Sequence, residues 1–123
     1  MAREIKFRAW YTPFSGRKFG QKFVYGNKVL SLQSMAPDKY VVEQYTGMKD
    51  KELKEIYEGD IVELWHEGYG YLGEEVTTAI TSVVQFVHGT FWIKNEPMYA
   101  YEEDDLEVKG NIHENPELIK VVD

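Results

Sequence analysis

Apolar side chains recur at every second position in short runs along this chain, and a glycine, proline, asparagine or aspartate interrupts most of those runs. At the front, Ile5, Phe7 and Ala9 alternate with Glu4, Lys6, Arg8 and Trp10. Successive side chains of a strand point to opposite faces, so this segment reads as a half-buried strand with Lys6, Arg8 and Trp10 turned outward. Residues 77–87 form a longer run carrying Val83, Val84, Phe86 and Val87, the side chains that pack best on a pleated surface. Many short strands between closely spaced turn signals predict an all-β fold, a barrel or a sandwich, with at most short helical turns.

The remaining segments extend this pattern. Thr12-Pro13-Phe14-Ser15-Gly16 reads as a turn. Residues 19–25 and 28–32 read as two strands joined through Gly26-Asn27, because glycine takes positive φ without a Cβ clash and suits a two-residue hairpin. Residues 34–38 form a loop closed by Pro37, and 40–45 are rich in valine and tyrosine, as a strand should be. Residues 50–55 have good helix propensity and predict a single helical turn. Glu58-Gly59-Asp60 turns the chain into a strand over 61–66, and 68–73 is a loop. His88-Gly89 reverses the long run into 90–94. Residues 96–105 are acidic and irregular, with a short helical turn. A last strand over 106–112 carries Leu106, Val108 and Ile112 on its apolar face. The chain of 123 residues is expected to form a single domain. Within it, about 41–119 is expected to close as a small SH3-like barrel, with an N-terminal β layer of about 1–40 packed on it.

Composition excludes several chemistries. Without cysteine there is no disulfide, thiolate nucleophile or cysteine-based metal site, which suits a reducing compartment. The N-terminus carries Arg3, Lys6 and Arg8 with no apolar stretch behind them, unlike a signal peptide. The most apolar window, 79–87, is far short of the ~20 residues that span a bilayer. Net charge is −7, unevenly distributed. Residues 1–40 hold eight basic and two acidic groups (+6), and 41–123 hold six basic and nineteen acidic groups (−13). Such halves attract each other within one fold or across a subunit contact, and the basic half also suits a polyanion.

Candidate catalytic motifs fail on context. Gly68-Tyr69-Gly70-Tyr71-Leu72-Gly73 matches G-x-G-x-x-G, but a dinucleotide site needs a helix after the glycines, and Val76-Thr77-Thr78 favours a strand. A glycine-rich hairpin loop with a sticky tyrosine tip fits better. His66, His88 and His113 have no metal-ligand spacing, although His66 and His88 could converge across strands. Asp60, with Glu58 or Asp50 nearby, could serve as an acid or base; turn chemistry, its carboxylate accepting a backbone N–H, is the better reading. Glu102-Glu103-Asp104-Asp105 lacks the alternating ligands of a calcium loop and reads as a solvated acidic face.

Three stretches carry a family resemblance: Arg3-Glu4-Ile5-Lys6-Phe7-Arg8-Ala9-Trp10; Gln44-Tyr45-Thr46-Gly47-Met48-Lys49-Asp50-Lys51 with Glu55-Ile56-Tyr57-Glu58-Gly59-Asp60-Ile61-Val62; and Gly110-Asn111-Ile112-His113-Glu114-Asn115-Pro116-Glu117-Leu118. Together they resemble the YopX family of small phage and prophage proteins. The resemblance implies a mainly β fold acting in a bacterial host cytoplasm, and it transfers no catalytic, metal or cofactor residues. Family members typically carry Asn-Gly where this chain has Glu52 and Leu53, so a tight turn gives way here to the expected helical one. The function expected is that of a non-enzymatic accessory protein working by protein–protein contact. It would contact itself as a homo-oligomer and an unknown host or phage protein, with no cofactor, small-molecule ligand or membrane. The alternative is a small β-barrel that binds nucleic acid through Arg3, Lys6, Arg8, Trp10, Arg17, Lys18 and Lys22, with cations tracking phosphate and rings stacking on bases.

Overall fold

The computed structural model describes residues 4–14 and 17–119, with backbone alone at His66, Glu67 and Thr78. Its backbone is mostly antiparallel β, as the alternation predicts. The chain divides into two compact units, Met1–Gly47 and Met48–Asp123.

In the first unit, β1 (Phe7–Tyr11) lies between β2 (Lys22–Tyr25) and β3 (Tyr40–Lys49). Cross-strand partners share a face, so the register sets Trp10 beside Phe23 and Arg8 beside both Tyr25 and Glu43. The strand is covered on both faces, and the outward orientation expected for Arg8 and Trp10 is therefore corrected. Arg8 is 5% exposed and Trp10 is buried, whereas Ile5, expected inside, is exposed. Period-two alternation marks a core face only when the opposite face is wet, and a central strand violates that condition.

The hairpin expected at Gly26-Asn27 is also absent. Residues 28–32 belong to α1 (Lys28–Met35), which extends into the first two residues of the expected loop over 34–38. Gly26 has φ +103°, its carbonyl accepts the Val29 N–H at 3.2 Å, and the helix starts there. Val29 is fully buried and Leu32, one turn later, is half-buried. The i, i+3 spacing of these two residues, within a run of good helix formers, outweighs the β-branched valine.

The second unit is built on a five-stranded sheet in the order β8-β7-β6-β5-β9. β4 (Glu55–Tyr57) returns beside β3, followed by β5 (Asp60–Tyr69), β6 (Glu75–Val87), β7 (Thr90–Ile93), β8 (Glu96–Pro97) and β9 (Leu106–Asn111). Short 3-10 turns at Met98–Ala100 and Glu103–Asp105 match the helical turn expected in the acidic segment. Ile56, Val62, Leu64, Val84, Ile93 and Leu106 are the centre of the core. Burying a side chain of this size contributes about 1.5–3 kcal/mol relative to leaving it exposed.

Two local corrections follow from hydrogen bonding. Residues 50–55 form no helical turn but the tight loop of a hairpin. The Asp50 N–H donates to the Lys54 carbonyl at 2.8 Å, the Leu53 N–H donates to the Asp50 carbonyl at 2.9 Å, and Leu53 takes φ +65°. In β9 the register slips between Val62↔Val108 and Ile61↔Gly110. This bulge inserts one residue and reverses the facing beyond it, so Asn111 is buried and Ile112 is exposed.

Candidate functional site

Each buried carboxylate of the second unit is occupied by backbone. Asp50 Oδ1 accepts the N–H groups of Glu52 (2.8 Å) and Lys54 (2.9 Å), while Oδ2 accepts the Val108 N–H at 2.9 Å. One side chain thus ties the β3–β4 loop to β9. Asp60 Oδ2 accepts the Tyr57 N–H at 2.8 Å across the turn at Gly59, as the turn-chemistry reading expects. Asn111 Oδ1 accepts from the His113 and Glu114 N–H groups, and its Nδ2 donates to Glu114 Oε1 at 2.8 Å. Asn115 Oδ1 accepts the Asn111 N–H, and a Cβ on Gly110 would run into that Asn115 side chain. Asp50, Asp60, Asn111 and Asn115 of the middle and C-terminal signatures thus tie turns and strands together. Their conformational demands were legible as turn residues, but the Asp50–Val108 bond, 58 positions apart, had no local signal.

Among the described residues, no group of three or more His, Asp or Glu side chains is placed to hold a metal ion. His88 occupies a two-residue turn with Gly89, both at positive φ (+52° and +80°), which is type I′ geometry. The His66 side chain lies outside the described atoms.

The proposed cations separate into two sets. Arg3 lies outside the described residues. Lys6 is half-buried, with its Nζ 3.3 Å from Glu4 and 4.8 Å from the centroid of Tyr45. The Arg8 guanidinium sits 2.8 Å from the Glu43 carboxylate and 4.1 Å above the Phe23 ring. Trp10 packs edge-on against Phe23 at 4.8 Å. By contrast, Arg17 and Lys18 in the β1–β2 connection and Lys22 at the start of β2 are exposed, as are the rings of Phe14 and Phe19 in that connection, whose centroids are 5.9 Å apart. The first unit thus presents a loop where cations alternate with accessible rings.

The second unit presents an element of opposite charge. β9 pairs with β5 only over Asp60–Leu64, and β7 pairs with β6 only over Val84–Val87. Between those limits, β5 and β6 continue as a two-stranded arm, with Trp65–Tyr69 set against Glu75–Ala79. At its tip the Gly70 N–H donates to the Glu74 carbonyl at 2.8 Å, and Gly73 takes φ +82°. The match to G-x-G-x-x-G is therefore a hairpin, with β5 running two residues into the expected loop. Tyr69 is 80% exposed, Leu72 is 86% exposed and Tyr71 is fully exposed. From Trp65 to Ala79 the sequence holds Glu67, Glu74 and Glu75 and no Lys or Arg. A cavity of about 310 Å³ lies along this arm, lined by Gly68, Tyr69, Glu75, Val76 and Thr77. No helix among the described residues is long and apolar enough to cross a membrane.

The YopX protein family model matches residues 14–120. No curated protein matches the chain. Among solved structures, the crystal structure of protein EF1440 from Enterococcus faecalis matches with a TM-score of 0.55 and 24% identity, covering 97% of this chain and 100% of that one. At that identity the likeness establishes the fold.

Proposed function

For this chain, which belongs to the YopX family, we propose an accessory protein of phage or prophage origin that acts in the bacterial cytoplasm by protein–protein contact and catalyses no reaction. In this reading the second unit is a small SH3-like barrel that carries a contact arm. The observation behind it is the tip of the β5–β6 arm, where Tyr69, Tyr71 and Leu72 are held in water on a hairpin beyond the paired sheet. Exposed aromatic and aliphatic side chains grouped on one element mark interaction surfaces more often than isolated ones do. The buried carboxylates support the same reading, because Asp50 and Asp60 are engaged by backbone donors.

Affinity capture from cells expressing the tagged protein, with nuclease treatment, tests this. The reading expects a nuclease-resistant protein partner held by the wild type and released by Tyr71→Ser with Leu72→Ser. Capture of nothing, or of nucleic acid alone, refutes it. A second reading, single-stranded nucleic-acid binding, draws on Phe14 and Phe19 beside Arg17, Lys18 and Lys22. It requires affinity that falls steeply with salt and is lost in Lys18→Glu.

A further inference from the structure

We infer that the acidic β5–β6 arm of one copy docks on the basic, ring-bearing β1–β2 connection of a second copy. The inference rests on the protein–protein reading above and supplies its partner. The two surfaces match in three respects. Their charges are opposite: Arg17, Lys18 and Lys22 on one, and Glu74 and Glu75, also exposed, on the other. Both hold accessible apolar groups, with Phe19 76% exposed beside Lys18, and Tyr69, Tyr71 and Leu72 on the arm. The third is a cavity of about 310 Å³ beside Tyr69, with Val76 and Glu75 in its lining, in which we place the exposed Phe19 ring and the adjacent Lys18.

Charge also decides between docking modes. Two arms laid edge to edge would extend the ribbon by strand pairing, but each arm carries three carboxylates and no cation, so like charges would meet. Arm against basic loop removes that repulsion and desolvates rings on both sides. The same pair of surfaces serves a reciprocal dimer or a closed ring.

Sedimentation velocity over a concentration series, at low and high salt, tests the contact. The wild type is expected to self-associate, and to do so about tenfold more weakly at high salt, because screening shortens the reach of exposed charges. Two charge-swapped chains carry the decisive comparison. Lys18→Glu with Lys22→Glu makes the loop acidic, and Glu74→Lys with Glu75→Lys leaves the arm with two cations against Glu67 and makes it basic. Each alone is expected to be monomeric, while an equimolar mixture associates again, because the basic arm of one chain then meets the acidic loop of the other. All four positions are exposed, and unchanged circular dichroism and melting confirm that both chains fold. A wild type that stays monomeric, or swapped chains that associate separately as well as the wild type, overturns the inference. A monomeric wild type that still retains a nuclease-resistant partner through Tyr71 and Leu72 leaves the protein–protein reading standing and removes only the self-docking. Oligonucleotide binding at low salt by a monomeric wild type, abolished by the loop swap, assigns the basic loop to nucleic acid instead.

Discussion

Replacing Leu53 with asparagine should stabilise the second unit. Leu53 closes the β3–β4 loop at φ +65°, in the left-handed region, and is 74% exposed. The β5–β6 loop has the same construction: the Gly73 N–H donates to the Gly70 carbonyl at 3.0 Å, as the Leu53 N–H does to Asp50 at 2.9 Å, and glycine holds the left-handed position there at φ +82°. An L-residue pays about 1–2 kcal/mol for that conformation. Asparagine tolerates it through local hydrogen bonding. Against this gain stands the quarter of the leucine side chain that is covered, about 0.5 kcal/mol at the usual value for full burial. The net expectation is about 1 kcal/mol of stabilisation, or about 3–5 °C in Tm for a chain of this size. Leu53→Gly should gain less, because glycine also loosens the unfolded chain by about 0.4–1 kcal/mol. The reciprocal change, Gly73→Leu, meets open space around its new Cβ; backbone strain of about 1–2 kcal/mol, less about 0.4–1 kcal/mol by which it stiffens the unfolded chain, leaves a loss of roughly 0.5–1 kcal/mol. Urea unfolding followed by circular dichroism measures all three. Loss of 1 kcal/mol or more in Leu53→Asn, or no loss in Gly73→Leu, would refute the argument that backbone conformation dominates these loops.

Other perturbations have defined outcomes. Asp50→Ala leaves three backbone N–H groups without their carboxylate and should cost on the order of 3 kcal/mol or more in denaturant unfolding, with faster hydrogen exchange at Val108 as its local signature. Arg8→Met removes the guanidinium 2.8 Å from the Glu43 carboxylate, which is 3% exposed, and should cost about 3–5 kcal/mol; Arg8→Met with Glu43→Leu should recover part of it, a non-additivity read from a double-mutant cycle. The Tyr101 hydroxyl donates to Glu96 at 2.7 Å, and that bond, then burial, raises its pKa above the ordinary value. Its contribution is therefore complete below about pH 10, the unfolded value, and is lost as pH rises through the higher folded value. Tyr101→Phe should lower stability at neutral pH by that contribution and flatten the alkaline decline, so that the two proteins converge at high pH.

The linear order of residues determined what backbone chemistry dictates locally. The β-branched run over 77–87, the His88-Gly89 reversal and the turn at Glu58-Gly59-Asp60 were all legible, because each depends on φ preferences and side-chain period within a few positions. The charge polarity that supplies the candidate surfaces was legible too, since it is a count. Tertiary structure decided which positions face water. Arg8 and Trp10 read as outward, but β1 lies between β2 and β3 and is covered on both faces, with Glu43 supplying the countercharge from the neighbouring strand. The bulge that buries Asn111 and exposes Ile112 is a property of pairing between β5 and β9, not of β9 alone. The arm is likewise defined by where neighbouring strands stop, which the segment from Trp65 to Ala79 does not encode in itself. Local sequence sets the conformation of each segment; burial and exposure are set by its neighbours, and only the assembled sheets supply those.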